Sequence, residues 1–301
     1  MRPIIDAGPR RKGAVVAEMV KRAMREGMKP EAAEHMMAKI RMSDHTMELY
    51  DAVKNLGNPY LTPDSVPPGI IIHEGAKPKF FEQTGDRELR EKCDVPTYRL
   101  EPQPKNAMIP PNKFDSCQGL QIDFRNMFHA VGMELKGSLA DRRGLQMLRD
   151  RHDEIPMMLE YKDSNDRDHR YEWYSDGIYE YKNAPHLIVD SLHVSIRDGT
   201  KKYILRSELM ILLRLMVLKG RRTETRRHAI VPVLLISIRP DQFVIIEAYY
   251  DGKHAHVNYG EPIVITEDIA PEEQDKRMRS VLRWATAKPC GETRSYSGAQ
   301  R

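Results

Sequence analysis

Cysteine is scarce in this sequence, and the motifs of several large enzyme classes are missing. The three cysteines, Cys93, Cys117 and Cys290, are widely spaced and match neither a disulfide framework nor a zinc motif. The chain has no glycine-rich phosphate loop, no Gly-x-Ser-x-Gly nucleophile motif and no dinucleotide fingerprint. These absences favour a reducing compartment and argue against P-loop NTPases, α/β-hydrolases and dinucleotide-dependent oxidoreductases.

Long hydrophobic runs and a strong excess of one charge are lacking as well. The most apolar helical segment, 209–218, is far shorter than the about 20 residues that cross a bilayer. The first residues show no secretory signal pattern. With 48 basic and 44 acidic residues the net charge is only +4, so any basic patch is local. We expect a cytoplasmic or nuclear protein without a membrane partner.

The composition that remains supports a folded α+β protein, because 40% of the 301 residues are hydrophobic. Ten of the twenty prolines fall between residues 57 and 112. We therefore expect a proline-rich linker or covering segment there, whose apolar pieces dock as short strands. The predicted regions are a helical N-terminal region (1–56), the proline-rich segment (57–112), an α+β core domain (113–288) and a flexible tail (289–301).

The clearest local pattern is an antiparallel meander between residues 228 and 265. Residues 229–238 are apolar without alternation, which predicts a central strand covered on both faces, with Pro232 near its start. Asp251-Gly252 predicts a two-residue turn to a third strand. That turn places Tyr249 opposite His254 and Glu247 opposite His256.

Other elements follow from turn and cap signals. Three short helices are expected over 13–56, with Ser43 or Asp44 capping the third. A second hairpin is expected around Asp176-Gly177. Ser207 is the predicted cap of a buried helix that ends at Gly220, and Pro271 is expected to open the last helix.

Glu247, His254 and His256 form the first candidate site, because the predicted register brings them onto one sheet face. Two histidines and one carboxylate can hold ferrous iron or a similar transition metal. The string His254-Ala-His256, followed by Glu261, resembles part of the cupin metal motif. The alternative is an ordinary polar sheet face.

A magnesium-dependent nuclease is the second candidate. Glu-x-Lys tripeptides occur three times, at Glu134, Glu160 and Glu180, and on a strand the acid and the lysine share a face. The pattern resembles the restriction-endonuclease-like nuclease core, which implies a further acid on the preceding strand. Asp141, Glu160 and Lys162 are the preferred catalytic set, with Asp123 and Glu134 as a second choice. Solvent-exposed charge pairs are the alternative.

A cluster of cations follows the buried helix, in the segment 219–227. Its arginines can contact phosphates, act as an import signal or complement the negative helix end. The candidate nucleic-acid-binding residues are Arg221, Arg222, Arg226 and Arg227.

The segments 227–238 and 248–253 resemble segments of uncharacterised intracellular proteins of filamentous fungi. The resemblance implies an intracellular globular protein and no particular reaction. The leading hypothesis is accordingly a binding protein that presents its N-terminal helices or the arginine cluster to a protein or nucleic acid. It requires no cofactor, whereas the nuclease and metal hypotheses require Mg²⁺ or a transition metal.

Overall fold

The computed structural model describes residues 18, 20–22, 24–27, 29–92, 96–100, 113–130, 139–148, 158–161, 170–194, 203–222, 225 and 227–294. Its helices are α1 (Pro30–Lys54), α2 (Asp86–Lys92), α3 (Lys113–Ala130), α4 (Leu139–Arg142), α5 (Arg206–Gly220) and α6 (Pro271–Ala285). Its strands are β1 (Tyr60–Leu61), β2 (Ile70–Glu74), β3 (Phe81–Glu82), β4 (Leu145–Met147), β5 (Met158–Tyr161), β6 (Arg170–Tyr181), β7 (Leu187–His193), β8 (Ile204–Leu205), β9 (Val233–Arg239), β10 (Gln242–Tyr250), β11 (Ala255–Tyr259), β12 (Ile263–Val264) and β13 (Lys288–Pro289).

A mixed sheet of nine strands dominates the described part of the chain. Seven strands follow the order β2-β11-β10-β9-β7-β6-β4, while β5 pairs with β6 and β12 with β10. All pairings are antiparallel except β2 with β11 and β7 with β9. The α+β class and the mainly antiparallel sheet predicted from the sequence are confirmed.

Helices cover both faces of this sheet and create two apolar cores. Along β9, Leu234 and Ile236 belong to the core under α3 and α6, whereas Val233 and Leu235 belong to the core under α5. The strand is apolar at nearly every position because neither face meets water. Its predicted central place in the sheet is confirmed.

Helix α5 lies between the sheet and α1, which explains its apolar surface on all sides. It begins at Arg206, so the predicted cap at Ser207 is wrong. The Glu208 carboxylate instead accepts the hydrogen bond of the Leu205 N–H at 2.8 Å, and the Ser207 hydroxyl contacts His193 Nδ1 at the same distance. None of the described helices is both long and apolar enough to span a membrane.

Helix α1 is one continuous helix from residue 30 to residue 54, whereas the sequence predicts that a new helix begins at Ser43 or Asp44. Ser43 and Asp44 lie in its interior. The Ser43 hydroxyl accepts a hydrogen bond from Arg221 Nε at 2.7 Å, so packing against the end of α5 occupies the group that was expected to form a cap. Tertiary contacts therefore override the local stop signal.

The proline-rich segment docks onto the sheet as expected. Strand β2 pairs with β11 over five residues, and β3 pairs with β13. The predicted hairpin at Asp176-Gly177 is wrong, because β6 continues through these residues and has a β-bulge there opposite Asp190. A Cβ atom at Gly177 would lie 1.8 Å from Asp190 Oδ2, so the glycine allows close approach rather than a turn.

Candidate metal centre

The turn between β10 and β11 is longer than the sequence predicts. Four residues, 251–254, connect the strands, and Asp251 Oδ1 accepts hydrogen bonds from the backbone N–H groups of Lys253 at 2.8 Å and His254 at 2.7 Å. This aspartate turn replaces the expected two-residue turn. Gly252 takes the required positive φ of 100°.

The longer turn moves the strand register by two positions. Tyr249 pairs with His256 and Glu247 with Asn258, so the predicted pairing of Glu247 with His256 is wrong. An even shift keeps every side chain on its predicted face. His256 therefore stays on the face of Glu247, but it lies next to the turn instead of beside that carboxylate.

Three side chains converge at this turn. Asp251, His254 and His256 each offer one potential ligand atom, and these atoms lie within 4.8 Å of one another. Asp251 Oδ2 is 2.9 Å from His256 Nε2, and the rings of His254 and His256 meet edge to face with centroids 6.3 Å apart. All three residues are partly buried, so the cluster is both sheltered and accessible.

A third histidine reaches this cluster from β2. Because β2 runs parallel to β11, His73 pairs with Asn258 and shares the face of His256. His73 Nε2 lies 3.0 Å from His256 Nδ1, and the two rings are nearly parallel at 7°. Both ring nitrogens of His256 thus have a partner.

Tyr249 supports the other side of the His256 ring. The two rings stack with centroids 5.0 Å apart and 14° between their planes, and Lys79 Nζ lies 5.6 Å from the Tyr249 centroid. Burial raises the pKa of Tyr249 to about 12, and the negative charges of Glu247 and Asp251 add to the rise. The tyrosine therefore stays neutral and packs His256 in place.

Electrostatics keep the Asp251 carboxylate ionised. Burial acts to raise its pKa, but the hydrogen bonds from the His254 N–H, the His256 side chain and the Lys253 N–H outweigh burial and lower the pKa below its ordinary value. Burial and the neighbouring His256 lower the pKa of His73, which favours its neutral ring. The ionised carboxylate of Asp251 is the form that a metal ion binds.

Glu247, the carboxylate of the predicted metal set, is engaged elsewhere. It accepts hydrogen bonds from the backbone N–H groups of Lys79 and Phe80 and from Asn258 Nδ2, each at 2.7 Å. Burial raises the pKa of Glu247, and these donors oppose the rise. The structure thus brings His254 and His256 together with Asp251, and Glu247 holds the proline-rich segment against the sheet.

The nuclease set is not gathered at one place. Glu160 on β5 pairs with Tyr171 at one end of β6, whereas Asp141 precedes β4, which pairs with the other end of β6 up to Tyr181. Ten residues of strand separate the two ends, on the order of 30 Å. Lys162 lies outside the described residues.

The other acidic residues considered for the nuclease either have partners within the fold or lie outside the described part of the chain. Glu180 Oε2 is 2.7 Å from both Lys219 Nζ and Arg222 Nη1. Asp123 accepts a hydrogen bond from the Tyr98 hydroxyl at 3.1 Å. Glu134 is not described. The nuclease hypothesis stays a prediction without a described pair of adjacent acids to support it.

Two arginines of the cluster form hydrogen bonds to other parts of the fold. Arg222 binds Glu180, and Arg221 donates to Ser43 on α1. Arg227 is exposed, and Arg226 lies outside the described residues. Binding of a nucleic acid or protein through this cluster stays a prediction.

Two further buried carboxylates lie away from the turn. Asp190 accepts hydrogen bonds from Arg125 Nη2 at 2.8 Å and from Gln121 at 3.3 Å. Glu208 forms a fully buried ion pair with Arg239, whose Nη2 is 2.6 Å from Oε2. Each carboxylate is neutralised by its own arginine, which fits a structural role.

Sequence reasoning missed Asp251 and His73. The sequence pattern assigns Asp251 only to a turn, although the string Asp251-Gly-Lys-His-Ala-His holds three potential ligand residues, one aspartate and two histidines, within six residues. His73 is 183 residues from His256, and no local pattern links the two.

Fold and cluster together define an α+β protein with a candidate three-ligand metal centre at a hairpin turn. No protein-family model, curated protein or solved structure matches the chain.

Proposed function

We propose that this protein binds a divalent transition-metal ion, with Zn²⁺ as the first candidate, through Asp251, His254 and His256. The observation that carries the proposal is their convergence within 4.8 Å. Ligand atoms of a tetrahedral zinc site lie about 2.0–2.2 Å from the ion and so roughly 3.3 Å from one another. Two of the potential ligand atoms, Asp251 Oδ2 and His256 Nε2, are already 2.9 Å apart.

The types of ligand support a transition metal over magnesium or calcium. Imidazole nitrogen suits zinc, iron, copper and nickel, whereas magnesium and calcium take oxygen ligands. His254 and His256 supply two of the three ligand atoms. Asp251 supplies a negative charge that offsets part of the charge of the ion.

The number of protein ligands supports an open site. Structural zinc sites usually have four protein ligands, whereas catalytic sites have three and leave one position for water or a substrate. The partial exposure of all three residues agrees with access from solvent. Two histidines and one carboxylate are also the ligand set of many non-haem iron sites.

The test is zinc titration of the full-length chain without an affinity tag, after removal of metal with a chelator. We expect one tightly bound Zn²⁺ per chain by calorimetry and by elemental analysis. His254→Gln and His256→Gln should each lose more affinity than the about 10–100-fold that is typical of outer-shell partners. His129→Gln is the control, because His129 is exposed at the end of α3.

Equal zinc affinity in wild type and in both ligand variants would place the metal elsewhere in the chain. No stoichiometric zinc in the wild type, with iron, nickel and copper also unbound, would remove the proposal. Circular dichroism of each variant establishes that the fold is retained.

A further inference from the structure

We infer that His73 is the positioning residue of this metal site: it decides that His256 binds the ion through Nε2, and it links the edge strand β2 to metal binding. The inference rests on the proposed metal function and adds a residue from a different part of the chain. Its basis is the contact between His73 Nε2 and His256 Nδ1 at 3.0 Å.

The two partners of His256 set its proton in the metal-free protein. Asp251 is ionised and only accepts, so His256 Nε2 carries the proton and donates it to Oδ2 at 2.9 Å. When the His256 ring carries a single proton, its Nδ1 is then an acceptor. His73 must donate to it from its own Nε2 at 3.0 Å.

Metal binding reverses the direction of the hydrogen bond between His256 and His73. An ion at His256 Nε2 takes the lone pair there, so the single proton of His256 moves to Nδ1. His73 Nε2 then accepts that proton in a hydrogen bond, and the proton of His73 moves to its Nδ1. Each ring keeps one proton, and no proton is released from the pair. Metal-binding histidines almost always donate their second N–H to an acceptor, usually a carboxylate, a backbone carbonyl or water, which fixes the ring and increases its basicity. Here His73 Nε2 is the acceptor within reach.

The backbone holds His73 firmly enough for this role. Strand β2 pairs with β11 over five residues, and further bonds at its two ends join the Ala255 N–H to the Gly69 carbonyl and the Gly75 N–H to the Tyr259 carbonyl, both at 2.8 Å. His73 is half-buried on this frame. The strand pairing therefore fixes the backbone of His73 beside His256, and the 3.0 Å contact joins the two rings.

The same contact couples the ion to β2. An ion that binds only the assembled site stabilises every element that the site requires. We expect zinc to slow hydrogen exchange of the backbone amides of residues 70–75, and this effect should disappear when His73 is replaced.

The test compares His73→Leu, which has no hydrogen-bonding group, with His73→Gln, whose side-chain oxygen can accept from His256 Nδ1–H. We expect the leucine variant to bind zinc about 10–100-fold more weakly and the glutamine variant to recover part of the loss. His129→Gln again serves as the control. Two-bond ¹H–¹⁵N NMR of zinc-loaded wild type should show His256 bound through Nε2 with a proton on Nδ1.

The outcomes separate this inference from the proposed function. If the wild type binds no metal, both the proposed function and the inference are overturned. If the wild type binds zinc and His73→Leu binds it equally well with the same His256 spectrum, only the inference is overturned. Coordination through His256 Nδ1 would also overturn it, because the ion would then lie between His73 and His256. This last measurement needs only the wild type, so it can overturn the inference even if His73→Leu does not fold.

Discussion

At the scale of single residues, the fold depends on close polar contacts inside the sheet. Gly177 occupies the β-bulge of β6 opposite Asp190, and Arg125 holds the Asp190 carboxylate at 2.8 Å. The space that a side chain at residue 177 would need is already filled by that carboxylate. The missing Cβ atom therefore leaves room for the buried Asp190 carboxylate, which pairs with the partly exposed Arg125.

Gly177→Ala should destabilise the protein by about 1–3 kcal/mol or more, because the new methyl group would overlap Asp190 Oδ2 and the Tyr179 hydroxyl. Gly119→Ala is the matched control on the exposed side of α3, where a Cβ atom meets nothing within 4 Å. It should stabilise the helix by about 0.5–1 kcal/mol. Urea unfolding measures both changes, and a neutral Gly177→Ala would show that Asp190 can move aside.

At the scale of elements, the site is assembled from pieces that have different supports. The β10–β11 turn is held by Asp251, and β2 is held by its pairing with β11. The segment before β3 is held by Glu247 through two backbone N–H groups. The candidate metal centre and the Glu247 contact thus depend on different side chains and support different segments.

Glu247→Gln should loosen the segment before β3 and leave zinc affinity unchanged. The amide keeps one acceptor oxygen where the carboxylate had two, so the N–H of Lys79 or of Phe80 loses its partner, at a cost of about 1–3 kcal/mol. Hydrogen exchange should accelerate at these two amides. Asp251→Asn is the counterpart and should weaken zinc binding. Loss of zinc affinity in Glu247→Gln would instead assign the metal carboxylate to Glu247.

At the scale of the whole molecule, two buried histidines link stability to pH. Burial is the main cause that lowers the pKa of both His186 and His193 to about 4, from an ordinary value of 6.5. For His193 the charge of Glu208 raises the pKa and the charge of Arg239 lowers it. Both rings are neutral in the folded protein at neutral pH.

The free energy of unfolding should therefore fall as the pH is lowered from about 6.5 to about 4. In this window the unfolded chain binds protons that the folded protein does not, and each histidine contributes up to about 1.4 kcal/mol per pH unit. Above about pH 6.5 both histidines are neutral in the folded and in the unfolded protein, so their contribution to stability is fully present. Urea unfolding between pH 7.5 and 4.5 measures the slope. His193→Gln should reduce the slope, and an unchanged slope would contradict the assignment to His193.

Much of the architecture is predictable from local pattern, and the errors share a cause. The apolar run of β9 and the proline and acids that open α6 depend on neighbours in sequence, and both predictions are confirmed. The predictions of a turn at Asp176-Gly177 and of a helix cap at Ser207 are wrong. In both places a distant partner, Asp190 or His193, decides the role of the residue.

The sequence by itself determined the two-sided burial of the central strands and the sheet face on which Glu247 and His256 lie, because alternation along a strand survives any even shift of register. Only the tertiary structure decided which groups meet there. The turn length brought Asp251 to His256 in place of Glu247, and the parallel pairing of β2 with β11 brought His73 to the site. Such contacts arise from the packing of distant segments, which no local spacing encodes.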